Sequence, residues 1–392
     1  MQKKLIAVAV AGALGAPAVV LAQASTVQIY GRFNVEYAYA DQGAGRRKVD
    51  DFQAPGSAIG FRGEEKLGGG MSAWFQCEST ADPRGAAGGA SGGVFCSRNS
   101  AVGFKGAFGN VFLGTWDTPF KRTGGPNIVG AEQTGHWGVI EPLASNSTTV
   151  ADNTNRDVFF RRQRNSVNYD SPNFAGFQVL AAFGTTNGAT ASTPVFDQKA
   201  RVFSLGAQYR AGPLYISGAY ERHNEFAVLT GLNNFDDDEG WHIGANYTFA
   251  GRVKIGGLWT RNTFPSTNLL GDIDYDAFHV GVDWNIQGPH GILASYTRVD
   301  DADGAPGAVG PGGARPNVPV ATIPNDTGAD MWTIRYYYNF SKRTQFRIGY
   351  SRIENDSQAR YRLTALARPG TTVPTGLGDN QSAFGITIDH RF

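Results

Sequence analysis

Residues 241–249 read Trp241-His242-Ile243-Gly244-Ala245-Asn246-Tyr247-Thr248-Phe249, an unbroken alternation of two kinds of side chain. Trp241, Ile243, Ala245, Tyr247 and Phe249 are apolar or aromatic, and His242, Gly244, Asn246 and Thr248 between them are polar or small. A period of two sends successive side chains to opposite faces of a β-strand. The same pattern sets Val27, Ile29, Phe33, Val35, Tyr37 and Tyr39 against Gln28, Tyr30, Arg32, Asn34, Glu36 and Ala38. It returns in Phe278, Val280, Val282, Trp284 and Ile286, and again in Phe384, Ile386, Ile388 and Phe392 opposite Thr387, Asp389 and Arg391. One apolar and one polar face suit either a soluble sandwich or a wall with lipid outside and water inside. Length separates the two. Many of these stretches reach the roughly 9–11 residues that cross a bilayer at a tilt, with aromatics gathered near their ends.

The N-terminus sends the chain out of the cytoplasm. Lys3 and Lys4 precede an apolar stretch from Leu5 to Leu21, which Gly12, Gly15 and Pro17 interrupt and Ala22-Gln23-Ala24 closes. That is the layout of a secretory signal peptide over residues 1–24, leaving 25–392 as the mature domain; the glycines and proline argue against a membrane anchor. No later segment approaches the roughly 20 apolar residues of a membrane helix. An exported chain that still enters a membrane must satisfy its backbone in a closed barrel. The 52 glycines, 25 phenylalanines and 15 tyrosines suit strands and turns. Without Lys3 and Lys4, the 35 Lys and Arg fall one below the 34 Asp and Glu, a balance that excludes a general nucleic-acid binder.

The connections supply the strand count. Short links recur at Leu67–Gly70, Gly106–Gly109, Ser171–Gly176, Ala211–Pro213, Ala250–Arg252, Gly288–His290 and Ser341–Arg343. Longer polar or glycine-rich links lie near 41–56, 80–97, 116–161, 185–199, 224–239, 262–275, 299–328 and 355–381. These seven short and eight long links join sixteen strands. The expected fold is all-β, a 16-stranded antiparallel transmembrane β-barrel with short periplasmic turns and long external loops.

Chemical motifs are sparse. Gly89-Ala90-Ser91-Gly92-Gly93 fits the nucleophile-elbow pattern, yet it sits in a glycine-rich loop without the strand-to-helix context that pattern requires. The chain lacks H-E-x-x-H, P-loop and C-x-x-C patterns, and neither an enzyme nor a cofactor is expected. Asp236-Asp237-Asp238-Glu239, the run Asp272, Asp274, Asp276, and the run Asp300, Asp301, Asp303 read as acidic external segments. Solvated rim charge is the favoured reading; Ca²⁺ binding, or divalent bridging to lipopolysaccharide, is the other. Cys77 and Cys96 flank the 80–97 loop. In an oxidising compartment they are expected to form a disulfide, with two free thiols as the alternative.

Several segments carry a family resemblance. Gly56-Ser57-Ala58-Ile59-Gly60-Phe61-Arg62-Gly63-Glu64-Glu65-Lys66-Leu67-Gly68-Gly69-Gly70 resembles the second strand and first turn of Gram-negative general porins of the Neisseria and Burkholderia type. Arg98 to Gly114, with Val102-Gly103-Phe104 and Phe108-Gly109-Asn110-Val111, is similar to that family's fourth and fifth strands. Asn165-Ser166-Val167-Asn168-Tyr169-Asp170-Ser171-Pro172 with Phe174-Ala175-Gly176-Phe177 resembles its sixth. Ser341-Lys342-Arg343-Thr344 and the terminal His390-Arg391-Phe392 extend the likeness over nearly the whole mature chain. The resemblance implies a homotrimer in outer-membrane lipid and lipopolysaccharide, one pore per subunit, and a third loop folded inward. It further implies passive diffusion of small hydrophilic solutes and ions, a terminal phenylalanine read by the assembly machinery, and a second loop that latches a neighbouring subunit. A substrate-selective channel of the same fold is the other functional reading.

Candidate pore residues follow. The long loop near 116–161 occupies the position of the constriction loop and carries Asp117, Glu132, Glu141, Asp152 and Asp157 beside Lys121, Arg122 and Arg156. Arg162 and Arg164 share parity with Ser166 and Asn168, which aims both at the lumen; Arg32, Arg62, Arg210, Arg335 and Arg347 fall on polar faces by the same test. Arg98 matches a family arginine, but simple alternation puts it with Val102 and Phe104, so either a bulge shifts the register or Arg98 sits above the bilayer. Many members carry arginine where this chain has Ala58, which holds the expected anion preference to a mild one.

Overall fold

The structure, a computed structural model, describes residues 27–43, 48–84, 95–144, 159–185, 201–228, 235–265, 271–304, 326–359, 361–363 and 377–392. Residues 1–24, the Gly89–Gly93 motif, and Asp152, Arg156 and Asp157 lie outside them.

Sixteen strands form the wall. They are β1 (Gln28–Asp41), β2 (Ala58–Gly68), β3 (Met71–Thr80), β4 (Ser100–Gly106), β5 (Gly109–Asp117), β6 (Arg162–Asp170), β7 (Phe177–Thr185) and β8 (Arg201–Ala211). Then come β9 (Leu214–Val228), β10 (Phe235–Phe249), β11 (Val253–Pro265), β12 (Asp272–Gln287), β13 (His290–Val299), β14 (Ala329–Asn339), β15 (Thr344–Asn355) and β16 (Gln381–Arg391). Two short pieces, Val49–Gln53 and Asp303–Gly304, extend the sheet beside β1 and β12. Each strand pairs antiparallel with its chain neighbour, and β1 pairs with β16 from Arg32↔Arg391 to Asp41↔Ser382. The seam is sealed at its turn end, where the Gly31 and Phe392 N–H groups each donate to the other's carbonyl, at 3.0 and 3.1 Å.

The seven expected tight turns join consecutive strands at one end, and the long links leave the strands at the other. Two links are shorter than the sequence suggested. β9 runs on to Val228 and β10 begins at Phe235; β11 reaches Pro265 and β12 begins at Asp272. Charge does not end these strands, because it is neutralised across the ladder. Arg222 meets Asp237 at 2.5 Å, Arg261 meets Asp276 at 2.5 Å, and the Thr263 hydroxyl donates to Asp274 at 2.6 Å. Two of the acidic segments are therefore strand, with their own partners. In the third, Asp301 accepts the N–H groups of Thr327 and Gly328 and so fastens a loop.

The alternation sorts as its chemistry requires. Ile243 is 58% exposed on the outer face while His242 between its apolar neighbours is 3% exposed on the inner one. Phe33 packs on the ring of the terminal Phe392, 5.5 Å between centroids, so the last residue belongs to the outer aromatic surface. Cys77 and Cys96 are bonded to each other, with Cα atoms 4.7 Å apart. The bond lies three residues before the end of β3, beside Phe61, whose ring is 6.3 Å from that of Phe95.

The inner wall departs from a uniformly polar lining. Toward the loop end, Leu258, Phe264, Ile273, Tyr275, Met331 and Ile353 face inward and are buried. They are covered by the connection from β5 to β6, which turns into the barrel and supplies Phe120, Val139, Leu143, Phe159 and Phe160 to the same cluster. The hydrophobic core of this protein therefore lies inside the cylinder, between wall and loop. Each large side chain so buried contributes about 1.5–3 kcal/mol relative to exposure to water.

A lysine in place of Ile243, near the middle of β10, should cost about 2–4 kcal/mol in urea unfolding from lipid vesicles. Thiol reagent added to unreduced, denatured protein should find no reactive cysteine, and the double serine variant should lose roughly 3 kcal/mol in the same unfolding assay.

Candidate functional site

The inward loop begins at Thr118, whose hydroxyl caps helix α1 (Pro119–Gly124) by accepting the Lys121 N–H; Pro119 at the first turn has no N–H to leave unsatisfied. Polar anchors then hold the loop along its length. The ring of His242 donates from Nε2 to the Phe120 carbonyl at 3.0 Å, and the Asn127 amide donates to the Ser217 hydroxyl at 2.9 Å. His279 Nε2 donates to the Val129 carbonyl at 2.9 Å, and the Ser351 hydroxyl to that of His136 at 2.6 Å. Glu36 on β1 accepts the His136 N–H at 2.8 Å and also contacts its ring. The short helix α2 (Ile140–Ala144) is tied down where the Thr260 hydroxyl donates to the Leu143 carbonyl at 2.7 Å. At the loop's middle the chain lies directly on the wall. A Cβ at Gly281 would stand 1.8 Å from the Val129 carbonyl oxygen, and Gly130, at φ +76°, would bring one to 2.0 Å from that of Ala294.

What remains open is a cavity of about 820 Å³ bordered by charge. One cluster stands on β3–β6. Asp117 receives Lys121 at 3.0 Å, Arg162 at 3.3 Å and the Asn99 amide at 3.0 Å, while Arg162 also donates to Asn99 Oδ1 at 2.7 Å. Desolvation in this narrowed space pushes the Lys121 ammonium below its usual value, and the Asp117 carboxylate opposes that shift. Arg98 donates from Nε to Glu78 at 2.7 Å and Arg122 clasps Asp170 through two bonds of 2.7 Å. The second cluster stands on β1 and β14–β16. Arg32 makes two 2.8 Å bonds to Asp389, Arg347 reaches the same carboxylate at 2.6 Å, and Arg391 stands 3.8 Å from it. Glu132 on the loop accepts from Arg335 at 2.9 Å and from Arg347. Among the described residues, nine Arg and Lys border the cavity against four Asp and Glu.

Of the sequence candidates, Arg32, Arg98, Asp117, Glu132 and Arg162 border this cavity together. Arg98 precedes β4 in a bend, where strand parity does not apply, and its N–H donates to the Glu78 carbonyl at 2.8 Å; it turns into the lumen by that route. Arg164 does not share its neighbour's place. Asn165 takes a left-handed backbone, φ +49°, and the ladder slips between Gly114↔Ser166 and Trp116↔Gln163. Gln163 therefore occupies the buried slot and Arg164 is exposed, outside the cavity lining. Arg62 keeps its inward parity but belongs to a separate recess nearer the turn end. Glu141 falls on α2, and its side chain is outside the described residues. Sequence reasoning overlooked Glu78, Asn99, Asp170 and Asp389 as partners; an acid or amide at inward parity next to a strand bearing arginine was the available signal.

A sixteen-stranded barrel with a lipid-facing belt, an inward loop and a charged passage is the architecture of an outer-membrane channel. The profile of the Gram-negative porin family matches residues 7–358, and the chain belongs to that family. Outer membrane porin protein 32 of Delftia acidovorans is 28% identical over 407 residues, covering 100% of both chains. Major outer membrane protein P.IB of Neisseria gonorrhoeae is 25% identical, with 76% of each chain covered. Among solved structures, the anion-selective porin from Comamonas acidovorans superposes with a TM-score of 0.73 at 23% identity, covering 94% of this chain and 100% of that one. The protein is a porin of the bacterial outer membrane, and its function is passage through the lumen.

Alanine at Gly281 should lift the loop from the wall, because the Cβ meets backbone that cannot rotate away. Single-channel conductance should rise and become noisier, whereas alanine at Gly218, whose nearest neighbour is 3.4 Å away, should change neither.

Proposed function

We propose that this porin is a general diffusion channel with a mild preference for small anions, assembled as a homotrimer in a lipopolysaccharide-bearing membrane after loss of residues 1–24. The observation that carries the preference is the excess of cationic over acidic side chains around the cavity. Seven of the nine cations are guanidinium groups, which keep their charge at any physiological pH and by themselves outnumber the four acids. In a narrow passage with low-dielectric walls such an excess raises the local concentration of anions and lowers that of cations. The four acids temper the field: Asp117, Glu132 and Asp389 are each shared between cationic neighbours, Asp283 accepts the Tyr337 hydroxyl, and Ala58 withholds a further positive charge. The description of the Comamonas relative as anion-selective supports the same direction, and that of a Vibrio cholerae relative as a trimer supports the assembly.

The test is the zero-current potential in a planar bilayer under a salt gradient. Wild-type protein should pass chloride over potassium, Arg162→Gln should lower the ratio roughly twofold, and Arg164→Gln should leave it unchanged. Cation selectivity in the wild type would refute the reading, and equal effects of the two substitutions would refute the assignment of Arg162.

A further inference from the structure

Inward positions toward the turn end border water, yet three aromatic rings gather there. Trp74 on β3 and Phe112 and Trp116 on β5 form a cluster, with centroids 5.3 Å apart for Trp74–Phe112, 5.7 Å for Trp74–Trp116 and 5.2 Å for Phe112–Trp116. Phe112 is buried, while both indoles remain partly exposed. The Trp74 Nε1–H donates to Asn110 Oδ1 at 2.7 Å, which fixes that indole's orientation. A recess of about 470 Å³ opens beside the two indoles, rimmed by Gln28, Arg62, Gln76 and Lys105. Trp116 is the chain neighbour of Asp117, so the recess adjoins the constriction on its turn-end side.

The recess carries two cations and one acid, Glu64, and the two cations differ. Lys105 is held by Glu64 at 2.7 Å, with its ammonium 5.7 Å from the Trp74 ring. Arg62 donates from Nε to Gln28 at 2.9 Å and lies 5.1 Å over the Tyr30 ring. Among the described residues it has no carboxylate partner, in contrast to Arg32, Arg98 and Arg162. Its terminal nitrogens are thus available to a carboxylate that arrives from the constriction. The stacking surface and the guanidinium edge stand on neighbouring strands, in one recess.

We propose that this recess is a transit subsite for small planar aromatic carboxylates, with the ring against the Trp74 and Trp116 indoles and the carboxylate on Arg62. It rests on the reading of the lumen as an anion-preferring path and adds a preference among anions. An aliphatic carboxylate gains the arginine contact without the stacking, and a neutral aromatic gains the stacking alone.

The test uses the full-length porin in planar bilayers, with chloride current blocked by benzoate or by cyclohexanecarboxylate, which share charge and approximate size and differ in aromaticity. Benzoate should reach half-block at a concentration about threefold or more below its saturated counterpart. Trp74→Leu should bring the two concentrations together, and Arg62→Gln should raise both. Equal half-block concentrations in the wild type, or a gap that survives Trp74→Leu, would overturn the subsite and leave the diffusion channel standing. If Trp74→Leu yields no channels, the wild-type comparison and Trp116→Leu decide by the same ratio. Wild-type protein that passes no current would overturn the channel reading, and the subsite with it.

Discussion

A peptide group in hydrocarbon has no water to bond to, and an unpaired one costs several kcal/mol. That constraint makes the pairing of β1 with β16 the contact on which the rest of this molecule depends. Without it, two strand edges would stand open in lipid; with it, every spanning strand has a neighbour on each side. Closure demands that the strand number be even if first and last strands are to run antiparallel, and it brings both ends of the described chain to the turn end. The reciprocal bonds between Gly31 and Phe392 complete the seam at that end. The terminal aromatic ring then falls on the outer face by parity alone.

A cylinder of this size encloses more space than its own side chains fill, so the second constraint concerns what occupies the interior. The long connection after β5 does, and it does so by the ordinary means of a protein core. Phe120, Leu143 and Phe159 leave water against Phe264, Tyr275 and Ile353, and the loop's carbonyls are met by hydroxyl and imidazole donors from the wall. The loop is thereby folded structure, buried on the side that faces the wall. Its other side, with Lys121, Arg122 and Glu132, is left to border the passage. One segment supplies both the core and the narrowing.

This division explains what the sequence made legible. Alternation such as Trp241 to Phe249 shows the wall plainly because lipid and lumen differ so sharply, and short links of three to six residues, glycine-marked in all but Ser341–Arg343, count the strands. Inward apolar residues such as Ile273 and Ile353 were unreadable in the same terms, since their partner lies more than a hundred residues away in an irregular loop. Parity also fails wherever the backbone leaves the strand. Arg164 follows an unbroken alternation in the sequence, but the left-handed Asn165 turns it outward. Arg98, awkward by parity, reaches the lumen because it precedes its strand. Parity assigns a face and says nothing of height, which is why Arg62 shares a face with Arg32 but lies in a different recess.

Charge in the passage is organised by the acids. Asp389 sits among Arg32, Arg347 and Arg391, and Glu132 joins Arg335 to Arg347, so two carboxylates hold four guanidinium groups that would otherwise repel one another. Asp117 does the same for Lys121 and Arg162. Each acid lowers the local charge by one unit while allowing more than one cation to crowd the same stretch of wall. The net field therefore stays positive, and the guanidinium groups are fixed in position, which costs no reorganisation when an anion passes. Screening limits its reach to about 8 Å at physiological ionic strength. In the wide parts of the barrel a solute at the axis would scarcely sense the wall. Only where the inward loop brings Lys121 and Arg122 toward the path, and Glu132 positions Arg335 and Arg347, does wall charge act on everything that moves through. The proposed selectivity thus depends on the loop's packing as much as on its charges.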